Sequence, residues 1–123
     1  MDICGVGRIK RAIERHGERF LAKVFTPGEI EFCSSRSNPY PSYAARFAAK
    51  EAVMKLLGAG IREVRFTDVE VRGGGDVRPW LLLTGRAGAI AGKMGIEAMD
   101  LSISHEGELA AAVVFAIATN GGE

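Results

Sequence analysis

The chain has 123 residues, 47% of them hydrophobic and 25% charged. That is the composition of an ordinary globular domain, not of a disordered segment, a collagen or a coiled coil. Net charge is +1, from 16 basic and 15 acidic residues, which argues against a general nucleic-acid binder, since such proteins carry a clear basic excess. Glycine is over-represented, at 16 residues of 123 against a usual ~7%. The glycines have no period, so they mark turns and close backbone approaches. Two cysteines, Cys4 and Cys33, are too few for a disulfide framework and read as free thiols in a reducing compartment. The longest apolar run, Leu109 to Ala118, is ten residues, short of the ~18 a membrane helix needs. Asp2 does not fit the basic-then-apolar order of a signal peptide. The expectation is a soluble cytoplasmic protein without a membrane partner.

In chain order, Arg8 to Val24 reads as one helix with Ile9, Ala12, Ile13, Phe20 and Val24 mostly on one face and Gly17 as a weak point. It holds six basic residues against two acidic ones, a local charge of +4 hidden in the balanced total. Such a face is either solvated, with intrahelical pairs, or a docking face for an acidic partner. Thr26-Pro27-Gly28-Glu29 has the form of a helix start, with Thr26 as cap, Pro27 at the first helical position and Glu29 completing a capping box. Ser34 to Pro41 reads as a polar loop.

Tyr43 to Leu57 is the strongest helical segment, with Ala45, Ala48, Ala49, Ala52, Val53 and Leu56 in a broad apolar stripe and Gly58-Ala59-Gly60 ending it. Phe47, Glu51 and Lys55 form a column at four-residue spacing, off the centre of that stripe. Val64 to Val71 reads as a strand with a bulge near Thr67-Asp68. Gly73 to Asp76 is a turn and Trp80 to Thr84 a second strand. Arg86 to Met94 is a short helix. Asp100 to His105 and Leu109 to Ala118 form a closing hairpin. One domain is expected over 1–118, with 119–123 as a frayed tail.

Two places can carry chemistry. A Glu four residues before a Lys is commonly a solvated helix pair. On a rigid helix the Glu51 carboxylate is also a good Mg²⁺ ligand, because magnesium takes oxygen donors while keeping waters and bridging phosphates. Lys55, one turn on, can neutralise charge on those phosphates. His105, at a strand end beside a tight turn, is either a packing residue or an imidazole that reaches a ligand. No Walker loop, CxxC or HExxH spacing is present.

The segment Arg46-Phe47-Ala48-Ala49-Lys50-Glu51-Ala52-Val53-Met54-Lys55, followed by Gly58-Ala59-Gly60-Ile61, resembles the signature helix of the holo-[acyl-carrier-protein] synthases, small 4′-phosphopantetheinyl transferases. Leu101-Ser102-Ile103-Ser104-His105-Glu106 and Leu109 to Val114 resemble that family's closing hairpin. The similarity extends over about nine-tenths of the chain, in order. It implies an α+β phosphopantetheinyl transferase fold, with a small antiparallel sheet around a long central helix, assembling as a homotrimer with sites between subunits. It implies transfer of phosphopantetheine from coenzyme A to a serine of apo acyl-carrier protein, releasing adenosine 3′,5′-bisphosphate, with Mg²⁺ as cofactor.

By the same resemblance Glu51 is a metal ligand, and Glu51, Lys55 and His105 are catalytic. Arg46, Phe47, Lys55, Gly58, Pro79, Ser104 and His105 contact the coenzyme. Arg8, Arg11, Arg15 and Arg19 dock the acidic carrier protein. The base for the serine proton, Glu51 or a metal-bound water, is left open. The family begins with a short strand and Gly-x-Gly before a metal-binding Asp-Ile. Met1 to Ile9 fits this in two ways. Either Asp2-Ile3 is the Asp-Ile, the first strand is missing and Gly5 replaces a Glu, or Gly5-Val6-Gly7 is the Gly-x-Gly and the metal Asp is absent. The second would leave a carrier-binding trimer with an impaired metal site. A smaller departure is Val77-Arg78-Pro79, where the family commonly has Gly two before the Pro.

Overall fold

The computed structural model describes residues 1–119. Strand β1 (Asp2–Gly5) is followed by four helices: α1 (Val6–His16), α2 (Glu18–Val24), α3 (Pro27–Ser34) and α4 (Tyr40–Leu57). A 3₁₀ turn (Phe66–Asp68) leads into the hairpin β2 (Val69–Gly74) and β3 (Val77–Leu83). Helix α5 (Gly85–Lys93) then precedes β4 (Ile96–Glu106) and β5 (Leu109–Ala118). Two antiparallel sheets result, one of order β1-β5-β4 and one of β2-β3 alone.

Helix α4 is the hub, packing on β5, β1, α1, β4 and β2. Its alanines make this possible. Ala44, Ala45, Ala48, Ala49 and Ala52 are all buried, as are Ala110 and Ala112 of β5, so a small helix face lies against a small strand face and the backbones approach closely. Because most of the helix is covered, its buried charged members, Arg46 and Lys50, must find partners inside. Larger residues fill the ends. Phe25, 1% exposed, stacks between Phe20 and Tyr43 with ring centroids 6.2 and 4.8 Å away, and burying such a ring contributes on the order of 1.5–3 kcal/mol. A second cluster of Val53, Leu57, Val64, Val69 and Ala87 seals the far end of α4 against α5.

Several boundaries differ from the sequence reading. The expected single helix over Arg8–Val24 is two helices, because Gly17 takes φ 54° and turns the chain. Helix α4 starts at Tyr40, inside the expected loop, since Pro39 and Pro41 occupy its N-terminal turn, where a missing N–H costs nothing. The expected strand from Val64 begins only at Val69, after the 3₁₀ turn, and the register shift lies between Arg72 and Gly74. There Gly73 has φ 76° and an added Cβ would sit 2.5 Å from the Arg78 carbonyl oxygen. Asp2 to Gly5, which the sequence reading assigned to no element, form a short strand that pairs with Ala112 to Leu109. The capping box at Thr26 and Glu29 is formed. Of the expected frayed tail, Thr119 donates its N–H to Gly95 O at 2.8 Å, and 120–123 lie outside the described residues. Cys4 and Cys33 are free and buried. Among the described residues no helix is long and apolar enough to cross a membrane.

Candidate active site

Asp2 and Cys4 pair with Ala112 and Ala110 on the side of the sheet that faces α4. This carries the Asp2 carboxylate to the exposed end of the Phe47–Glu51–Lys55 column. Lys55 Nζ lies 2.9 Å from Asp2 Oδ2, and Lys55 is 70% exposed against 12% for Asp2. The adjoining Asp2 carboxylate holds the Lys55 pKa above its ordinary value. Asp2 Oδ2 is sealed from solvent and receives no donor with hydrogen-bond alignment, so the lysine neutralises its charge without filling its acceptor sites. Glu51 is half-buried, and that burial, reinforced by the Asp2 charge, raises its pKa; Arg8 and Lys55 oppose the rise.

Arg8 therefore belongs to this cluster. Its guanidinium carbon stands 5.4 Å from the centre of the Phe47 ring, and that ring stacks on Phe66 with centroids 5.4 Å apart. Arg11, Arg15 and Arg19 are exposed along the α1 and α2 surface. Among the described residues none of these four arginines is in an ion pair, so the intrahelical pairing of a merely solvated face is missing.

The other expected residues gather elsewhere. His105 opposes Ala110 and so points to the α4 side of the sheet. It lines a cleft of about 210 Å³ with Arg46, Arg36, Ser42 and Pro79. Arg46 is 2% exposed. Its Nη2 donates to Gly73 O at 2.7 Å and its guanidinium lies 4.2 Å from the Phe32 ring centre, while Nε is buried without a partner. Arg36 covers the same ring at 4.8 Å. An orphaned buried N–H beside a second guanidinium makes this cleft suited to an anion. Glu51 and Lys55 do not line it. Ser104 opposes Ala111, on the outer face of the sheet and exposed, away from His105. Gly58 is the left-handed C-cap of α4, at φ 67°. The structure thus brings together Asp2, Glu51, Lys55, Arg8 and Phe47 in one place and Arg46, Pro79 and His105 in another.

Sequence reasoning missed Arg36 and Phe32, which sit in or beside a segment read only as polar loop. It also missed Lys50, which is 0% exposed and whose ammonium meets Glu29 Oε1 at 2.6 Å. The capping-box signal at Glu29 pointed to a local role and concealed this long-range one.

A long α4 backed by β1-β5-β4 and flanked by a separate hairpin is an α+β fold, and the two carboxylates and the lysine beside α4 are a set that suits phosphoryl transfer. The comparisons with known proteins agree. The model of the 4′-phosphopantetheinyl transferase superfamily matches residues 1–114, and the chain belongs to that family. The holo-[acyl-carrier-protein] synthase of Carboxydothermus hydrogenoformans is 49% identical over 113 residues, covering 92% of this chain and 91% of that one. That of Halothermothrix orenii is 45% identical over 114 residues, covering 93% and 91%. The crystal structure of the Helicobacter pylori holo-[acyl-carrier-protein] synthase in complex with coenzyme A superposes with a TM-score of 0.81 at 31% identity, covering 94% of this chain and 96% of that one.

Proposed function

We propose that this chain is a holo-[acyl-carrier-protein] synthase that transfers 4′-phosphopantetheine from coenzyme A to a serine hydroxyl of apo acyl-carrier protein. The serine oxygen forms a bond to the β-phosphorus, the bond from that phosphorus to the bridging oxygen breaks, and adenosine 3′,5′-bisphosphate leaves with the negative charge. The observation that carries the assignment of roles is the Asp2–Lys55 contact at 2.9 Å beside Glu51. It puts two carboxylates and a cation where a pyrophosphate could be held. The Asp2 carboxylate beside Glu51 supports this reading over the impaired-site alternative.

Asp2 and Glu51 suit Mg²⁺, a hard cation that takes one or two carboxylates and fills its remaining positions with water and phosphate oxygens. The acceptor sites left open on Asp2 Oδ2 fit that use. Bound there, the ion would offset charge on the pyrophosphate. Lys55, exposed at its tip, answers the charge that builds on the leaving group. Glu51, beside that position, is one residue that can take up the serine proton.

The Arg46–His105 cleft is suited to a phosphate of the same coenzyme, yet it lies apart from Glu51 within one chain. A trimer with sites between subunits would reunite the two halves. The outward face of β5 and β1 supports this: Ile3, Leu109, Phe115 and Ile117 are each more than half exposed, an apolar face of the kind that marks an interaction surface. Arg11, Arg15 and Arg19, unpaired and exposed, form the docking face for the acidic carrier protein. Residues 1–118 form the catalytic domain, which acts in the cytoplasm. Charge reversal at Arg15 should raise the KM for carrier protein, and more so at low salt; an unchanged KM would leave that face without a partner.

A further inference from the structure

Lys50 precedes Glu51 in the chain and points the opposite way from solvent. Its ammonium has three protons and three acceptors. Glu29 Oε1 lies at 2.6 Å, the Phe66 carbonyl at 3.0 Å, and the Val69 carbonyl completes the set. Glu29, 1% exposed, is equally well used. Its Oε1 also accepts from Thr26 N–H at 2.9 Å and its Oε2 from Val71 N–H at 2.9 Å. The Phe25 ring closes over the ammonium, 5.7 Å from its centre. One ion pair thus ties the start of α3, the middle of α4, the 3₁₀ turn and β2 at a single buried point.

This point has two consequences for the neighbouring carboxylate. Successive helix residues are rotated by about 100°, so anchoring Lys50 on one side of α4 fixes the rotation of the helix and with it the direction of Glu51. The same ammonium also holds the Phe66 carbonyl, and the Phe66 ring stacks on Phe47, the residue one helical turn before Glu51. The pair therefore sets both the bearing of Glu51 and the aromatic wall beside it. A buried ion pair is weak evidence for stability in itself, since an apolar pair of similar volume often serves the fold as well. Its position next to Glu51 is what calls for another explanation.

We infer that the Glu29–Lys50 pair is a positioning device for the active site, holding Glu51 in register with Asp2 and Lys55. It acts through Glu51, so this inference rests on the role proposed for that residue.

The test compares Glu29→Gln and Lys50→Met with a stability control, Val64→Ala, which opens a cavity in the second core cluster, of which neither Lys50 nor Glu51 is a member. Each is assayed for transfer to apo carrier protein below its own melting temperature, and Mn²⁺ binding is followed separately by electron paramagnetic resonance. Loss of a group that orients a metal ligand commonly lowers activity or metal affinity by about 10–100-fold, and both pair variants should fall in that range in kcat. Their KM for coenzyme A should stay near the wild-type value and their Mn²⁺ affinity should weaken. Val64→Ala, at a comparable loss of melting temperature, should keep its kcat and Mn²⁺ affinity. The inference is overturned if the pair variants keep kcat and Mn²⁺ affinity, if Val64→Ala loses as much, or if neither pair variant folds, which would make the pair a folding requirement alone. Failure of the underlying reading looks different: the wild-type protein itself would bind no Mn²⁺ and transfer nothing.

Discussion

The Asp2 carboxylate lies 2.9 Å from the ammonium of Lys55, joining the first strand of the chain to the last turn of its central helix. Lys55 has no packing reason to be there, because it is 70% exposed. Lys55→Ala should leave the fold intact, since the Lys55 side chain is largely exposed, and should lower kcat by about 100-fold through loss of charge neutralisation at the leaving phosphate. Steady-state kinetics with a parallel thermal melt separate the two effects.

Glu51 provides a prediction with a defined sign. Burial and Asp2 raise its pKa in the folded protein, so the folded state holds the proton more tightly than the unfolded state does. Stability from this group is complete below the ordinary glutamate range and declines as pH rises through the raised folded value. In metal-free buffer, Glu51→Gln should therefore melt no lower than wild type at pH 7, and its advantage should vanish on acidification past the ordinary glutamate range. A variant that melts well below wild type at pH 7 would mean that the carboxylate is held by favourable partners instead.

In the core, Phe25→Ala removes a ring packed between Phe20 and Tyr43 and over the Lys50 ammonium. It should destabilise by about 3–5 kcal/mol, measured by urea denaturation.

The exposed apolar face supplies a fourth prediction. Phe115→Asp, at a site 64% exposed, should leave the secondary structure unchanged by circular dichroism while converting an associated species to a monomer in sedimentation. Activity should fall with association, because the Arg46–His105 cleft and the Glu51 cluster would no longer meet. A monomer as active as wild type would place the complete site within one chain.

Much of this molecule was legible in the sequence where one local rule dominates. The capping box at Thr26 and Glu29, the alanine-rich α4 and the β5 strand follow from turn chemistry and periodicity, and the resemblance in the Arg46–Lys55 segment carried the family. What was not legible depends on distant partners. Asp2 to Gly5 has no alternation of its own and becomes a strand only because β5 offers an edge. Gly17 ends a helix through a backbone angle that composition does not reveal. Lys50 looks like a surface lysine until Glu29 and two carbonyls are brought around it. The place of Arg8 over Phe47 emerges only from the packing of α1 on α4. The separation of His105 from Glu51 within one chain accords with the sites between subunits that the resemblance implied, and spacing along the chain alone does not show it.

The most direct measurement is the intact mass of apo acyl-carrier protein after incubation with coenzyme A, Mg²⁺ and either the wild-type chain or Glu51→Gln. The wild-type chain should add one phosphopantetheine group to the carrier, and the variant, still folded, should add none in the same interval. No mass gain with the wild-type chain at high enzyme concentration would contradict the transferase assignment, and a full gain with Glu51→Gln would contradict the role given to that carboxylate.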